Sequence, residues 1–201
     1  MAFILYLTAS LGALLFSSTV WYIMWNVDYF FFVWHPTLMA LTIFMVTNGI
    51  LALQQTMTRE EKSLGLDLHR LIQTISLLSA IGGFYVTFTF KNMNDKEHFT
   101  TPHGVFGLIT IILLIIQSVA GGTLVNFPGL FGGVTKAQRI YKYHRMSGYF
   151  LLFLVYLTAI GGTQNDWTKN QFDNLWVWFS AVGLILVGIV GRVKSNKLKI
   201  R

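Results

Sequence analysis

The chain has 201 residues, of which 54% are apolar and 11% charged, with a formal net charge of +7 and a mean hydropathy of +0.57. A soluble domain carries about 25% charged residues, so this composition excludes an ordinary soluble fold and indicates one membrane domain. The absence of cysteine excludes disulfides, thiolate metal sites, iron–sulfur clusters and covalently attached haem.

Six apolar segments are long enough to cross a hydrocarbon core, which takes about 20 residues as a helix. We number them spans one to six, and they cover residues 3–25, 29–53, 68–90, 103–125, 144–163 and 172–193. Span one lacks the basic start and short apolar run of a signal peptide, so we expect it to be retained. The pattern predicts an all-α protein with six transmembrane helices in a single domain 1–201, with spans two to five (about 29–163) as its core.

Basic residues alternate between the two ends of the spans. The connections after spans two and four, the C-terminal segment and the residues beside them hold every Lys and Arg except Lys91, Lys96 and Lys169. Cytoplasmic loops retain Lys and Arg, so we expect these segments and both termini to be cytoplasmic. The positive charge therefore indicates membrane topology rather than nucleic acid binding.

Four of the five histidines lie at equivalent places, each near the N-terminal end of a different span: His35, His69, His103 and His144. Successive helices run in opposite directions, so the pattern predicts two pairs, an outer pair (His35 and His103) and an inner, cytoplasmic pair (His69 and His144). A single intramembrane histidine is often a hydrogen-bonded packing residue. One on each of four consecutive spans indicates function, because ionisable groups are costly in a membrane.

Arrangement in pairs favours haem over other metal groups. Zinc takes three or four protein ligands at one point, whereas haem iron needs only two axial ligands. Two imidazoles leave no open position on the iron, which favours electron transfer, and a helix N-terminus helps to keep each ring neutral. Glycines towards the C-terminal ends of spans two to five are predicted to lie near the histidine pair at that end of the bundle. They would either make room for a macrocycle or allow close helix packing. These glycines are Gly49, Gly82, Gly83, Gly121, Gly122, Gly161 and Gly162.

Buried amides offer two interpretations. Asn48, Gln73 and Gln117 are placed either to orient ligand imidazoles or to hydrogen-bond neighbouring helices.

Three functions fit these residues. The first is a two-haem relay for electrons across the membrane. The second is a haem-bearing anchor subunit that exchanges electrons with a quinone or a partner dehydrogenase. The third is a haem-free proton-coupled transporter that uses the histidines as a relay, which the absence of a mid-span proline disfavours.

Four short motifs open spans two to five: Trp34-His35-Pro36, Leu68-His69, Thr101-Pro102-His103-Gly104 and Tyr143-His144. In this order they resemble the motifs of the cytochrome b561 family, and the resemblance covers about residues 29–195. The segment 96–101, which precedes span four, is most similar to the family's mammalian b561 domain-containing branch. The resemblance implies two b haems, one held by His35 and His103 and the other by His69 and His144.

The resemblance also implies an activity. It is that of a transmembrane oxidoreductase carrying electrons from cytoplasmic ascorbate to monodehydroascorbate or a ferric chelate on the other side. It places the chain in an endomembrane (endoplasmic reticulum or vesicle) or the plasma membrane, and allows a homodimer. Residues 51–55 and 100–104 differ from the chromaffin and plant branches, so donor and acceptor stay open.

Substrate residues are predicted from charge. Lys142, Arg145 and Arg70 flank the inner pair and are candidates to bind the ascorbate anion, although such cations also set topology, reach headgroups and neutralise haem propionates. His98 and Lys96 lie just before His103 and are candidates for acceptor binding, with a solvated loop as the alternative.

Overall fold

A computed structural model describes residues 1–54 and 56–193. The basic C-terminal segment 194–201, which contributes to the predicted topology, lies outside the described residues. All regular structure in these ranges is helical. The elements in chain order are α1 (Ala2–Trp25), a 3-10 turn (Phe31–Val33), α2 (Trp34–Gln54), α3 (Arg59–Met93), α4 (Pro102–Asn126), a 3-10 turn (Pro128–Phe131), α5 (Val134–Thr163), α6 (Asp166–Gln171) and α7 (Leu175–Gly191).

Six apolar helices confirm the predicted all-α, multi-span membrane fold. Helices α1 to α5 are each long and apolar enough to cross a bilayer, and α7 is a shorter apolar helix of 17 residues. The six-residue α6 lies in the connection before α7, where the apolar pattern predicts no helix, and the side chain of Asn165 caps it by accepting from the Thr168 N–H at 2.9 Å. It positions aromatic residues at the outer end of the bundle.

Helices α3 and α5 begin well before the spans predicted for them. Helix α3 starts at Arg59, after a capping box in which the Thr58 hydroxyl accepts from the Glu61 N–H and the Glu61 carboxylate accepts from the Thr58 N–H. Helix α5 starts at Val134, after a turn that uses positive φ at Gly132 and Gly133. Apolar residues define only the membrane part of each helix, so the polar first turns were not predicted.

Two antiparallel pairs form the centre of the bundle. Helix α2 packs along α3, and α4 packs along α5, whereas contacts between the two pairs are sparse. We call α2 with α3 hairpin A and α4 with α5 hairpin B. A small apolar cluster of Ala80, Leu114 and Leu151 joins the hairpins near the middle of their length.

Helix α7 packs on α1, and α1 packs on α2. Gly12 and Gly188 allow the α1–α7 approach, since a Cβ at Gly188 would lie 2.5 Å from the Leu5 carbonyl oxygen. The main buried core lies on this side of the bundle and includes Phe16 and Trp178. The same core also includes Val46 of α2 and Tyr156 of α5, and the four paired histidines lie outside it.

Candidate haem-binding site

The outer pair consists of two imidazoles from different hairpins. His35 is the second residue of α2 and His103 is the second residue of α4. Their ring centroids are 6.2 Å apart and their planes are nearly perpendicular, at 84°. A direct N–H···N hydrogen bond would bring the centroids to about 5 Å. A metal bound to one nitrogen of each ring at about 2 Å would hold the centroids about 6 Å apart.

Main-chain carbonyls orient both outer rings. The Nδ1–H of His35 donates to the Gly83 carbonyl oxygen at 2.9 Å, and that of His103 donates to the Thr158 carbonyl oxygen at 2.9 Å. Each acceptor belongs to the other helix of the same hairpin. Metal-binding histidines almost always donate their second nitrogen in this way, and the arrangement leaves Nε2 as the metal-binding atom.

The inner pair lies deeper within its helices. His69 is residue eleven of α3 and His144 is residue eleven of α5. The Nδ1–H of His69 donates to the Gly49 carbonyl oxygen at 2.8 Å, again within one hairpin. The His144 ring packs against Gly121, with Cε1 2.7 Å from the position of an added Cβ. Among the described residues, His144 Nδ1 is the buried side-chain nitrogen or oxygen that has no hydrogen-bond partner.

The helix dipole cannot help to keep the inner pair of imidazoles neutral in the way that the sequence had predicted. The dipole acts over about the first turn of a helix. His35 and His103 lie in that turn, but about ten residues of helix precede His69 and His144. Their sequence position at the start of an apolar span had suggested a helix N-terminus, and the polar extensions of α3 and α5 make that prediction wrong.

The donor set fits a haem rather than a bare metal ion. Within residues 1–54 and 56–193, no three His, Cys, Asp or Glu side chains converge on one point. Two imidazoles at each of two levels, with Nδ1 occupied in three of the four, suit an iron that already has four equatorial nitrogens.

The glycines predicted to admit a macrocycle lie near the histidine pairs, but two of them, Gly121 and Gly162, face a histidine ring instead. A Cβ at Gly162 would lie 2.9 Å from His103 Cε1, and one at Gly121 would lie 2.7 Å from His144 Cε1. These two glycines therefore make space for the ligand imidazoles themselves. At Gly122 an added Cβ would meet nothing within 4 Å, so that position stays open.

The three amides predicted to be buried are half-buried, and they connect helices rather than histidine rings. The Asn48 amide oxygen accepts from Ser10, Gln73 donates to the Val46 carbonyl oxygen, and Gln117 donates to the main-chain carbonyl of His144. The atoms that orient the rings are main-chain carbonyls, which sequence reasoning missed because they carry no residue-type signal. Their only signal is positional, a constant spacing from the histidines.

The basic candidates near the inner pair have separate contacts. The Arg70 guanidinium donates to the Asn126 amide oxygen at 3.1 Å, which places it between α3 and the end of α4. The Lys142 ammonium lies 4.9 Å from the centre of the Tyr143 ring, and Arg145 directly follows the ligand His144.

The two outer candidates lie on opposite sides of α3. His98 stacks on Phe88 with centroids 4.2 Å apart and bonds the Asn92 amide oxygen at 2.8 Å, whereas the Lys96 ammonium lies 5.5 Å from the centre of the Phe90 ring. Residues two apart on a helix point about 200° apart. The loop therefore separates Lys96 and His98.

Among the described residues, only the Lys96 side connects to a paired histidine through aromatic contacts. Phe90 lies 5.1 Å from Phe32, and Phe32 stacks on His35 at 5.3 Å, both between ring centroids. Phe30 and Trp167 extend this group, with 5.9 Å between their ring centroids. We call Phe30, Phe32, Phe90 and Trp167 the outer aromatic cluster.

Comparisons with known proteins agree with this geometry. The sequence model described as eukaryotic cytochrome b561 matches residues 34–170, which include all four paired histidines. The protein named transmembrane reductase CYB561D2 is 29% identical in Homo sapiens over 158 residues, covering 75% of this chain and 68% of the relative. The Bos taurus protein of that name gives the same identity and coverage. The Mus musculus protein is 30% identical over 124 residues, covering 58% of this chain and 54% of the relative.

The chain thus spans about half the length of the mouse relative and about two thirds of the human one. These matches confirm the family and the branch predicted from the motifs around the histidines. The chain belongs to the cytochrome b561 family.

Proposed function

We propose that this chain is a transmembrane oxidoreductase that carries electrons between the two membrane faces through two b haems. His35 and His103 would hold one haem, and His69 and His144 the other. The observation that carries the proposal is the 6.2 Å separation of the outer imidazoles, whose Nδ1 atoms are both engaged by carbonyls. The relatives named as transmembrane reductases support the same class of reaction.

Haem iron, when bound, would supply a one-electron centre at each level, and the chain supplies position and insulation. The carbonyls of Gly49 and Gly83 orient both ligands of hairpin A, and that of Thr158 orients His103 of hairpin B. Ala80, Leu114 and Leu151 form a buried apolar cluster between the hairpins, which would help to keep water out of the interior. A dry interior of this kind favours electron transfer without accompanying ions.

We propose ascorbate as the donor on the inner side. Ascorbate is an anion, and it would give up one electron and a proton there to become monodehydroascorbate. Arg70, Lys142 and Arg145 offer positive charge beside His69 and His144. Arg70 is exposed and held by Asn126, so its charge stays at the mouth of the inner site.

We propose that the acceptor, monodehydroascorbate or a ferric chelate, docks beside Lys96 rather than His98. The contacts from Lys96 to Phe90, Phe32 and the ligand His35 form a continuous path from the surface to the outer pair. The ring of His98 packs on the other side of α3 against Phe88. An anionic acceptor would therefore meet both a cation and an aromatic surface close to the outer ligand.

Vesicles test this function directly. The purified chain would be reconstituted into lipid vesicles loaded with ascorbate, and a membrane-impermeant ferric chelate would be added outside. We expect ferrous product outside the vesicles without any added partner protein. His69→Ala, which removes one inner ligand, should abolish the product, and protein-free vesicles give the background.

Two results would contradict the proposal. One is the absence of ferrous product from vesicles whose protein carries its haems. The other is product formation only after a soluble dehydrogenase or a quinone is supplied, which is the behaviour of an anchor subunit.

A further inference from the structure

The ligand histidines and the carbonyls that orient them follow one spacing rule. Gly49 lies fourteen residues after His35, Gly83 fourteen after His69, and Thr158 fourteen after His144. Each of these carbonyls accepts from the ligand on the partner helix of its hairpin. Fourteen residues span about 21 Å of helix, the separation of the two ligand levels. Each helix thus presents a ligand at one level and an acceptor at the other.

By the same rule, the fourth acceptor position falls on Gln117, fourteen residues after His103. It lies on α4, the partner helix of His144. The His144 Nδ1 atom is buried and lacks a hydrogen-bond partner. The fourth acceptor position, at Gln117, therefore lies on the partner helix of the one histidine that has no acceptor. A buried ring N–H without an acceptor is unfavourable, which favours pairing these two groups.

Hairpin B also has the local geometry that exposes such a carbonyl. In an α-helix the carbonyl of residue n already accepts from the N–H of residue n+4, and a second donor needs space beside residue n+4. Gly162 lies four residues after Thr158 and makes that space for His103, with 2.9 Å from its Cβ position to Cε1. Gly121 lies four residues after Gln117, and its Cβ position is 2.7 Å from His144 Cε1. The next nearest ring atom is Nε2 at 3.1 Å at Gly121, whereas at Gly162 it is Nδ1 at 3.3 Å, so the His144 ring must turn to present Nδ1 to α4.

Side-chain contacts already hold residue 117 against His144. The Gln117 amide donates to the His144 carbonyl oxygen at 2.6 Å, and the Ser147 hydroxyl donates to the Gln117 amide oxygen at 2.8 Å. A Cβ at Gly148 would lie 3.1 Å from the Gln117 amide nitrogen, so glycine there permits this approach.

We infer that the main-chain carbonyl of Gln117 accepts a hydrogen bond from His144 Nδ1–H when His144 Nε2 holds the inner haem iron. Gln117 is then a positioning residue that completes a set of four equivalent ligand–carbonyl pairs. The inference rests on the proposed function only in requiring bound haem. A hydrogen bond at Nδ1 makes the imidazole a stronger donor to the metal, which stabilises the ferric state.

The wild-type protein tests the hydrogen bond itself. Histidine labelled with ¹⁵N at Nδ1 would be incorporated, and infrared difference spectra recorded while the inner haem alone is titrated between its redox states. We expect both inner ligands to show the ring mode of a hydrogen-bonded Nδ1–H. One bonded and one free ligand would overturn the inference while leaving the haem relay intact, whereas a chain without haem would end the proposed function first.

Two adjacent glycines provide matched variants. Gly121→Ala places a methyl group against the His144 ring, and Gly122→Ala adds the same group where nothing lies within 4 Å. We expect Gly121→Ala to shift the electron paramagnetic resonance signal of the inner ferric haem and raise its midpoint potential. Gly122→Ala should leave the signal and the potential of the inner haem unchanged, and neither variant should alter those of the outer haem. Identical spectra and potentials for the two variants would overturn the inference.

A third variant separates the main chain from the side chain. Gln117→Leu removes the amide contacts but keeps the carbonyl, so the infrared band of the bonded His144 Nδ1–H should persist. Loss of that band in Gln117→Leu would identify the side-chain amide as the acceptor and refute the main-chain assignment.

Discussion

The five histidines differ in what their rings contact. Three of the paired histidines donate to carbonyls of a neighbouring helix, whereas His98 bonds the exposed Asn92 in the last turn of α3 and stacks on Phe88. A ring oriented by a fixed carbonyl across a helix interface is suited to hold a metal group. The ring of His98 lacks such an opposing partner in the described chain.

Substitution of single histidines is the first prediction at this scale. His35→Ala and His103→Ala should each remove the same haem, because each leaves the iron with one protein ligand. His69→Ala should remove the other haem. Haem content per chain, measured by pyridine haemochrome, should fall by about half in each variant.

His98→Ala is the matched control, and it should retain the full haem content. Loss of haem in His98→Ala, or full haem content in His35→Ala, would contradict the assignment of ligands.

Charge on the outer loop gives the second prediction. Lys96→Gln removes the cation beside Phe90, and it should raise the KM for an anionic ferric chelate about two- to fivefold, as expected for one exposed charge. The effect should shrink at high salt. His98→Gln tests the other side of α3, and a larger rise in KM for His98→Gln than for Lys96→Gln would place the acceptor site there instead.

Residue type alone identified the histidines but not what orients them. The four histidines are visible in the sequence because ionisable residues are rare in apolar spans. The acceptors on Gly49, Gly83 and Thr158 are main-chain atoms, and every residue has one. Which carbonyl is accessible depends on helix pairing and register, which the structure supplies.

At the scale of elements, the α1–α7 pair depends on small residues. Gly188 packs so closely on α1 that an added Cβ would lie 2.5 Å from both the Ala9 Cβ and the Leu5 carbonyl oxygen. We predict that Gly188→Ala lowers the free energy of unfolding by about 1–3 kcal/mol, as overpacking does elsewhere. Thermal unfolding in detergent measures the change.

Gly183→Ala is the matched substitution on the same helix, because a Cβ there would meet nothing within 4 Å. It should leave the unfolding temperature near that of the wild type. Equal destabilisation by the two substitutions would show that helix propensity, rather than packing on α1, sets the effect.

Element boundaries were predictable only where a helix begins or ends with its apolar segment. The apolar pattern located both ends of α1 and α4 and the end of α2 to within one residue, whereas α2 begins at Trp34, after the predicted start at residue 29. It placed the starts of α3 and α5 about ten residues late, because their first turns are polar and continue beyond the apolar span. The capping box at Thr58 and Glu61 was the available sequence signal for the start of α3.

At the scale of the whole molecule, the two hairpins are separate ligand holders. Internal hydrogen bonds orient both histidines of hairpin A and His103 of hairpin B, and contacts between hairpins are sparse. Each proposed haem takes one ligand from hairpin A and one from hairpin B, so it would link the two. The predicted topology, with the inner pair on the cytoplasmic side, rests on loop charge and stays a prediction.

One measurement tests the central claim most directly: a reduced-minus-oxidised absorption spectrum of the purified full chain, combined with a haem count. We predict the spectrum of bis-histidine b haem, two haems per chain and reduction by ascorbate alone. A folded helical protein that contains no haem would contradict the claim that these paired imidazoles carry electrons across the membrane.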